Sequence, residues 1–579
     1  MSEQVQSAIA AALLARLNHL LAEASLEASA GDAGLSRPPR RELGDLSTNL
    51  AMRFAKKLGM KPLELANRLA ASLGDLPQVR SCEVAPPGFL NVYLAGGLQA
   101  EILRRILAQG DAFGRGEARA TRVLVEYVSS NPTGPLHIGH GRGAAYGATL
   151  VNLLRFSGLT VDAEYYVNDA GRQMAILALS VWLRGQPGEG FDAYPERCYQ
   201  GDYVSRLARD FELAPWRGAE EAASVTRDLS ADPEEAVDEC LRRVRAGVGG
   251  DAFDAMQQRI GDAMVALIRS QLEGFRVHMD NWFSEASLVA DGQVEACLET
   301  LRARGHIYVG DGAEWFASSN FGDEKDRVVK RANGSHTYFA TDIAYHRHKC
   351  RRGYDKLINI FGADHHGYLE RLKAALAALG ENAGRLDFII NQFAVLWRGG
   401  EKLALSTRAG VFVELDRLFG MIGVDEARFM YLTQRHDQHL EFDLELAASQ
   451  SRDNPVYYVN YAYARAGQIC LQAEKAGLAF DQPAALGQLD ALTHERELAL
   501  IDKLGDFPAL IQRAAAQYTP HSLTVYAREL AGLFHNYYAS VRVIDPTGPA
   551  QARLALCVAL RQVIRNCLAL LNIAPPEQM

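Results

Sequence analysis

Val123-Leu-Val-Glu-Tyr-Val128, Asn131-Pro-Thr-Gly-Pro-Leu-His137-Ile-Gly-His140 and Gly143-Ala-Ala-Tyr-Gly-Ala-Thr-Leu-Val-Asn-Leu-Leu-Arg155 together decide how this chain is read. The first run is apolar and reads as a buried strand. The last reads as a helix, and a glycine-bearing turn joins the two. Strand, turn and helix in that order aim backbone N–H groups and the positive end of a helix dipole at an anion. His137 at the end of the turn and His140 on the first helical residues add donors for phosphate oxygens. The plainer reading makes one histidine a helix cap and the other a core residue. The glycines and the preceding strand favour the anion site.

Working outward, apolar strands recur at Val161–Val167, His336–Thr341, Leu357–Phe361 and Phe388–Leu396, with helical patterns between some of them. That alternation predicts an α/β, Rossmann-like domain over residues 116–398, a parallel sheet with helices on its faces. An insertion at about 184–259 interrupts it. The insertion holds Gly185-Gln-Pro-Gly-Glu-Gly190 and the acidic run Asp232–Glu239, read as a solvated surface at the sheet's edge.

The flanks differ in character. Residues 1–115 read as a separate α+β module. It has an alanine- and leucine-rich helix over Ala8–Leu26, a helix through Leu58 capped by Ser47 or Thr48, and a strand at Gly88–Leu94. Between Ser36 and Lys57, six basic residues (Arg37, Arg40, Arg41, Arg53, Lys56, Lys57) face Glu42 and Asp45, a local balance of +4. That is either a solvated helix face or a phosphate-contacting patch. Residues 399–449 form a connecting segment that opens with the glycine-bounded loop Gly399–Gly410. Residues 450–579 are almost wholly helical by periodicity, an α-bundle opening with Asn454-Pro-Val-Tyr-Tyr-Val-Asn-Tyr461. The bundle carries eleven basic and eleven acidic residues, so a nucleic-acid grip there would use stacking rather than bulk charge. Tyrosines packing helix to helix account for the same composition.

At 579 residues the chain is too long for one core. No run approaches 18 apolar residues, and no basic segment followed by an apolar one opens the chain, so neither a membrane span nor a secretory signal is expected. Eight scattered cysteines without a C-x-x-C suit reduced thiols in a cytoplasm. A net charge of −9 argues against indiscriminate nucleic-acid binding.

The chain resembles the bacterial arginyl-tRNA synthetases, class I enzymes, over nearly its whole length. The resemblance rests on Glu126 to His140 (the HIGH-type motif), Tyr165-Tyr-Val-Asn-Asp-Ala-Gly171, Tyr338-Phe-Ala-Thr-Asp342-Ile-Ala-Tyr345, Gly362-Ala-Asp364-His-His366 and Asn454-Pro-Val-Tyr-Tyr458. It implies a two-step reaction. Arginine attacks the α-phosphate of ATP to give arginyl-adenylate and pyrophosphate, and the 3′-terminal ribose of the tRNA then takes the arginine. The work is positioning and electrostatic stabilisation. It further implies catalytic roles for His137 and His140, and ATP contacts from Pro132, Thr133, Gly134, Gly139, Gly362 and Asp364. Arginine contacts fall to Glu126, Asn131, Tyr338, Asp342 and His366. Because a guanidinium needs carboxylate partners, Tyr338 and Asp342, four residues apart, would share a face if the chain turns helical there. The C-terminal bundle should read the anticodon, with Tyr457, Tyr458 and Tyr461 as candidate tRNA contacts. The N-terminal module should touch the tRNA elbow, and the insertion the acceptor end. Mg²⁺ should arrive with ATP. No protein-bound zinc is expected, because adjacent Asp-His-His side chains diverge and no further ligand sits at the right spacing. The family also implies a cytoplasmic monomer that needs tRNA to activate arginine.

One departure stands out. Class I synthetases carry Lys-Met-Ser-Lys-Ser or a close variant in their second signature loop, whereas this chain has Ala404-Leu-Ser406-Thr-Arg408, without either lysine. Nor does a lysine precede the first histidine motif, where Gly134 stands. Lys402 and Arg408 are therefore the cations expected to neutralise pyrophosphate, alongside Ser406. Three alternatives remain at this point: a non-catalytic RNA-binding relative, a small-molecule nucleotidyl transferase, and a synthetase for another amino acid.

Overall fold

The structure is a computed structural model. It describes residues 3–22, 28–36, 38, 43–95, 97–186, 194–210, 222–363, 368–392, 394–402 and 413–579. Its centre is a five-stranded parallel sheet: β1 (Arg122–Glu126), β2 (Thr160–Val167), β3 (Asn281–Ser284), β4 (Lys356–Gly362) and β5 (Leu386–Asn391), in the spatial order β5-β4-β1-β2-β3. From β1 the chain moves outward through β2 to β3, then returns to build β4 and β5 on the other side. The strand order therefore reverses between β1 and β4, and in open α/β sheets ligands bind beyond the carboxyl ends of strands at such a point.

Three helices follow strands or lead back into them: α1 (Ile138–Phe156), α2 (Glu285–Ala290) and α3 (Tyr338–Arg351). Two expected strands come out differently. His336–Thr341 is not a strand: His336 makes only an isolated bridge to Lys330, and Thr337 caps α3 by accepting from the Ala340 N–H (3.4 Å). Aromatic and β-branched residues suggested a strand. Phe339, Ile343 and Ala344, all buried, follow helical spacing instead. The run Phe388–Leu396 splits. Its first part is β5, while Ala394–Arg398 turns into a second sheet beside Leu440–Asp443 and Glu401–Lys402.

The insertion is helical where described (Asp202–Asp210, Pro233–Val248, Gly250–Gly274). With Arg172–Arg184 it encloses its own core of Leu177, Trp182, Cys240, Phe253, Met256 and Ile260. Its acidic run opens the helix Pro233–Val248, where Asp232 accepts from the Glu234 and Glu235 N–H groups. Glu234 and Asp238 pair with Arg172 (both 2.7 Å), so part of this charge grips the neighbouring helix instead of being merely solvated.

The N-terminal residues form an antiparallel sheet of Leu46–Thr48, Phe89–Leu94 and Val79–Ala85 with helices packed on it. Ser47 and Thr48 are strand residues here. Thr48 Oγ1 accepts from the Leu50 N–H (3.0 Å), and the α-helix ends at Phe54, followed by a 3₁₀ turn through Leu58. Of the basic patch, Arg37, Arg40 and Arg41 lie outside the described residues, and Arg53 pairs with Asp32. The helix Gly97–Gln109 packs against the C-terminal bundle, whose principal helices include α4 (Pro455–Lys475) and α5 (His521–Tyr538).

Arg142, on α1, is buried and ties the sheet to the connecting segment. Its guanidinium donates to the carbonyls of Gln392, Gln438 and Arg435, each at 2.7 Å. Arg142→Met keeps the volume but strands those carbonyls, an expected loss of about 3 kcal/mol in stability. A urea-unfolding midpoint equal to that of the parent chain would refute it.

Candidate functional site

The turn between β1 and α1 begins with backbone strain. Val128 (φ 68°) and Ser129 (φ 40°) both lie in the left-handed region, which is unusual for a β-branched residue. The chain then runs through Asn131, whose amide donates to Gln173 (2.8 Å), and Thr133, whose carbonyl accepts from the Tyr203 hydroxyl (2.7 Å). Pro132 is buried in the turn. Gly134 lies so near the Tyr203 ring that a Cβ would come within 3.3 Å of it, and a Cβ on Gly139 would come within 2.8 Å of the His137 ring.

His137 is the N-cap of α1, and its Nδ1 accepts from the Gly139 N–H (3.0 Å). The His137 N–H donates in turn to His140 Nδ1 (3.2 Å). Since both Nδ1 atoms accept from backbone N–H groups, both neutral rings carry their proton on Nε2. The rings stack at 3.9 Å between centroids. Burial holds His137 down to about 4. Burial and then the neighbouring His137 hold His140 down to about 3. Capping and phosphate donation, posed by the sequence as competing readings, are thus compatible: each ring accepts a backbone N–H on Nδ1 and carries its proton on Nε2.

The same turn holds one end of the signature loop. Ile138 N–H donates to the Val413 carbonyl (3.2 Å), Leu415 N–H to the Leu136 carbonyl (2.8 Å), and Glu414 pairs with Arg206 (2.9 Å). At the loop's other end Lys402 is exposed, on a short strand opposite Trp397. Ser406 and Arg408 lie outside the described residues, as do Asp364 and His366. Gly362 ends β4, in register with Asn391.

Near the end of β1, acidic side chains cluster. Tyr338 opens α3 and is exposed, and Asp342 stands one turn on along the same face, accepting from the Tyr368 hydroxyl. Burial pushes the Asp342 carboxyl well above its ordinary value. Glu285 and Glu126 add to the push, and Lys349 opposes it. Glu285, in the first turn of α2, is likewise buried and raised, with the Tyr166 and Thr341 hydroxyls favouring its charged form and Asp169 disfavouring it. Glu126 ends β1 and is engaged by Ser129 (3.0 Å) and the buried Lys349. Sequence reading missed Glu285, Tyr368 and Lys349. Glu285 follows β3 at the carboxyl edge of the sheet, a strand that shows no alternation in the sequence.

On α4, Tyr457 and Tyr461 stack at 6.2 Å, and Tyr458 meets His535 of α5 edge-on at 4.6 Å; Tyr461 is 39% exposed. Among the described residues no group of three His, Cys, Asp or Glu side chains is set to hold a metal ion, and no helix is long and apolar enough to cross a membrane.

Three family models match the chain: an arginyl-tRNA synthetase N-terminal domain over residues 3–94, the class I (R) tRNA synthetase catalytic domain over 102–443, and the DALR anticodon-binding domain over 459–579. An arginine–tRNA ligase of Aromatoleum aromaticum is 47% identical over 569 residues, covering 94% of this chain and 95% of the relative. One of Legionella pneumophila (strain Corby) is 44% identical over 550 residues, covering 93% of each. The solved structure of Thermus thermophilus arginyl-tRNA synthetase has the same fold, with a TM-score of 0.73 at 22% identity over 98% of this chain and 99% of that one. The catalytic model spans more than half of the chain, and these relatives match it nearly end to end: the chain belongs to the arginyl-tRNA synthetases, the class I ATP-dependent ligases that join arginine to tRNA.

Proposed function

We propose that the His137–His140 turn holds the ATP phosphates and that Asp342 and Glu285 read the guanidinium of arginine, so that arginyl-adenylate forms at the strand-order reversal between β1 and β4. One observation carries this reading: Asp342 and Glu285 are both raised by burial, and the neighbouring Glu285 carboxylate raises Asp342 further. Buried like charges ask for a cation, and a planar guanidinium can pair with both. The Nε2–H groups of His137 and His140 would donate to phosphate oxygens, supported by the positive end of α1. Mg²⁺ would be held by the phosphates themselves and would neutralise charge there. The arginine then passes to the terminal ribose of a tRNA whose anticodon lies against the bundle near Tyr457 and Tyr461, with Tyr458 packing against α5. The free state of all eight cysteines suits the cytoplasm, where we place the chain as a monomer.

Charging purified tRNA with each of the twenty amino acids tests the reading: arginine alone should be accepted, and failure with arginine on a folded chain overturns it. For the loop, Lys402→Ala and Arg408→Ala are each expected to slow ATP–pyrophosphate exchange, by roughly 10-fold if each supplies one charge-assisted contact to pyrophosphate. Unchanged exchange in both variants would remove them from the site. Tyr461→Ala is expected to raise the KM for tRNA roughly 10-fold through lost base stacking and to leave that for arginine alone; equal KM values for tRNA in variant and parent would rule it out.

A further inference from the structure

Lys349 is fully buried, an expensive position for an ammonium unless it is needed. It lies two turns along α3 from Asp342, across the seam between β1 and β4. Glu126 and Asn359 are register partners on those two strands, and Lys349 Nζ donates to both, to Asn359 Oδ1 at 3.1 Å. It also stands over the Tyr345 ring at 4.1 Å, and the Tyr345 hydroxyl donates to Glu164 (2.7 Å).

The direction of the next bonds follows from the first. An ammonium only donates, so Asn359 accepts on Oδ1 and its Nδ2 donates to His346 Nε2 (2.7 Å). That nitrogen is therefore unprotonated, and the His346 proton is on Nδ1, which donates to the Asp342 carbonyl (2.8 Å). His346 and Asn359 are as buried as Lys349, and burial and then the Lys349 charge hold His346 down to about 3, in keeping with a neutral ring. A one-way series of donors thus runs from the ammonium into the backbone of α3 at Asp342.

We infer that Lys349 is a positioning residue of the arginine pocket: its ammonium clamps Glu126 at the end of β1 and, through Asn359 and His346, sets the helical turn that carries Asp342. The inference rests on the reading of Asp342 as a guanidinium partner and deepens it. Four acidic side chains gather here, Glu126, Glu164, Glu285 and Asp342. Arg352 answers Glu164 at 2.5 Å and Lys349 answers Glu126, which leaves Asp342 and Glu285 for the substrate. Without Lys349 the pocket would hold a third unanswered carboxylate and a loosened helix start.

The test is steady-state aminoacylation of arginine tRNA by the full chain, with KM measured separately for arginine and ATP, in Lys349→Met, Asn359→Leu and Asp342→Asn. Lys349→Met is expected to raise the arginine KM roughly 30-fold, and Asn359→Leu, which interrupts the series while keeping both charges, roughly 10-fold, with the ATP KM within about twofold in each. A purely structural lysine would disturb both KM values alike; that outcome overturns the inference, as does an arginine KM within about twofold of the parent in either folded variant. If Lys349→Met does not fold, Asn359→Leu decides. Asp342→Asn reports on the underlying reading. If it leaves the arginine KM unchanged, that reading fails and this inference with it. If it raises the KM while the other two variants do not, only the Lys349 role fails.

Discussion

Replacing His140 with alanine is expected to lower arginine-dependent ATP–pyrophosphate exchange by roughly 10²- to 10³-fold, the usual cost of removing one preorganised donor from a site where oxyanion charge develops. The arginine KM should move little, because the ring stands at the nucleotide end of the site. His137→Ala should cost as much in rate and, by removing the N-cap of α1, about 1 kcal/mol of stability besides. The reasoning turns on the tautomers. Each Nδ1 accepts from a backbone N–H, so in the neutral ring the proton sits on Nε2. Because the folded rings titrate at about 4 and about 3, below the ordinary 6.5, they are neutral donors throughout the physiological range. The exchange rate should therefore show no histidine limb near pH 6.5. The same depression links to stability with a definite sign: its contribution is complete above about pH 6.5 and is lost as the pH falls from there towards 4 and 3, where protonation takes the Nδ1 lone pairs and breaks the caps. Full exchange activity in folded His140→Ala, or a profile with a step at 6.5 that His140→Ala and His137→Ala together abolish, would contradict this account.

What could be read in advance follows a physical divide. The β1–turn–α1 unit was legible because its signals are local: a buried apolar run, residues that permit a tight turn, and a helix pattern, all within some thirty residues. Tyr338 and Asp342 were legible as a spacing even though the segment around Tyr338 was read as strand, since helix and strand give different faces but the same separation. β3 was not legible. Its four residues, Asn-Trp-Phe-Ser, are all half-buried at the sheet edge, so they show no alternation. Glu285 was lost with it, because its place in the pocket depends on β3 ending where it does. The clamp by Lys349 joins β1, β4 and α3 across more than two hundred residues of sequence, and no local pattern announces such a contact. Asp364, His366, Ser406 and Arg408 fall outside the described residues.

Asp342→Asn is expected to do two opposite things. Arginine affinity should fall by at least roughly 10²-fold, since an amide leaves a desolvated guanidinium without one of its counter-charges. The ligand-free chain, however, should become more stable, with a melting temperature about 2 °C higher for a gain near 1 kcal/mol. Asp342 and Glu285 are both raised by burial, and Asp342 further by Glu285 and Glu126. A carboxyl raised above its unfolded value binds more protons in the folded chain, so stability falls as the pH climbs above the ordinary carboxylate range of 3.8 to 4.5. At neutral pH the empty pocket is thus a site of repulsion that the fold tolerates and that arginine relieves. Neutralising one member relieves it permanently and removes the reason to bind. Glu285→Gln should act in the same direction. Melting curves at pH 6 and pH 8, with and without arginine, separate the two effects. The parent should gain stability from arginine by mass action, and more so at pH 8, where more of the repulsion is present to be relieved. The variants should start higher and gain little. A ligand-free Asp342→Asn chain that melts below the parent at pH 8, or one that is stabilised by arginine as strongly as the parent, would show that these carboxylates are answered from within the protein and are not waiting for a cationic substrate.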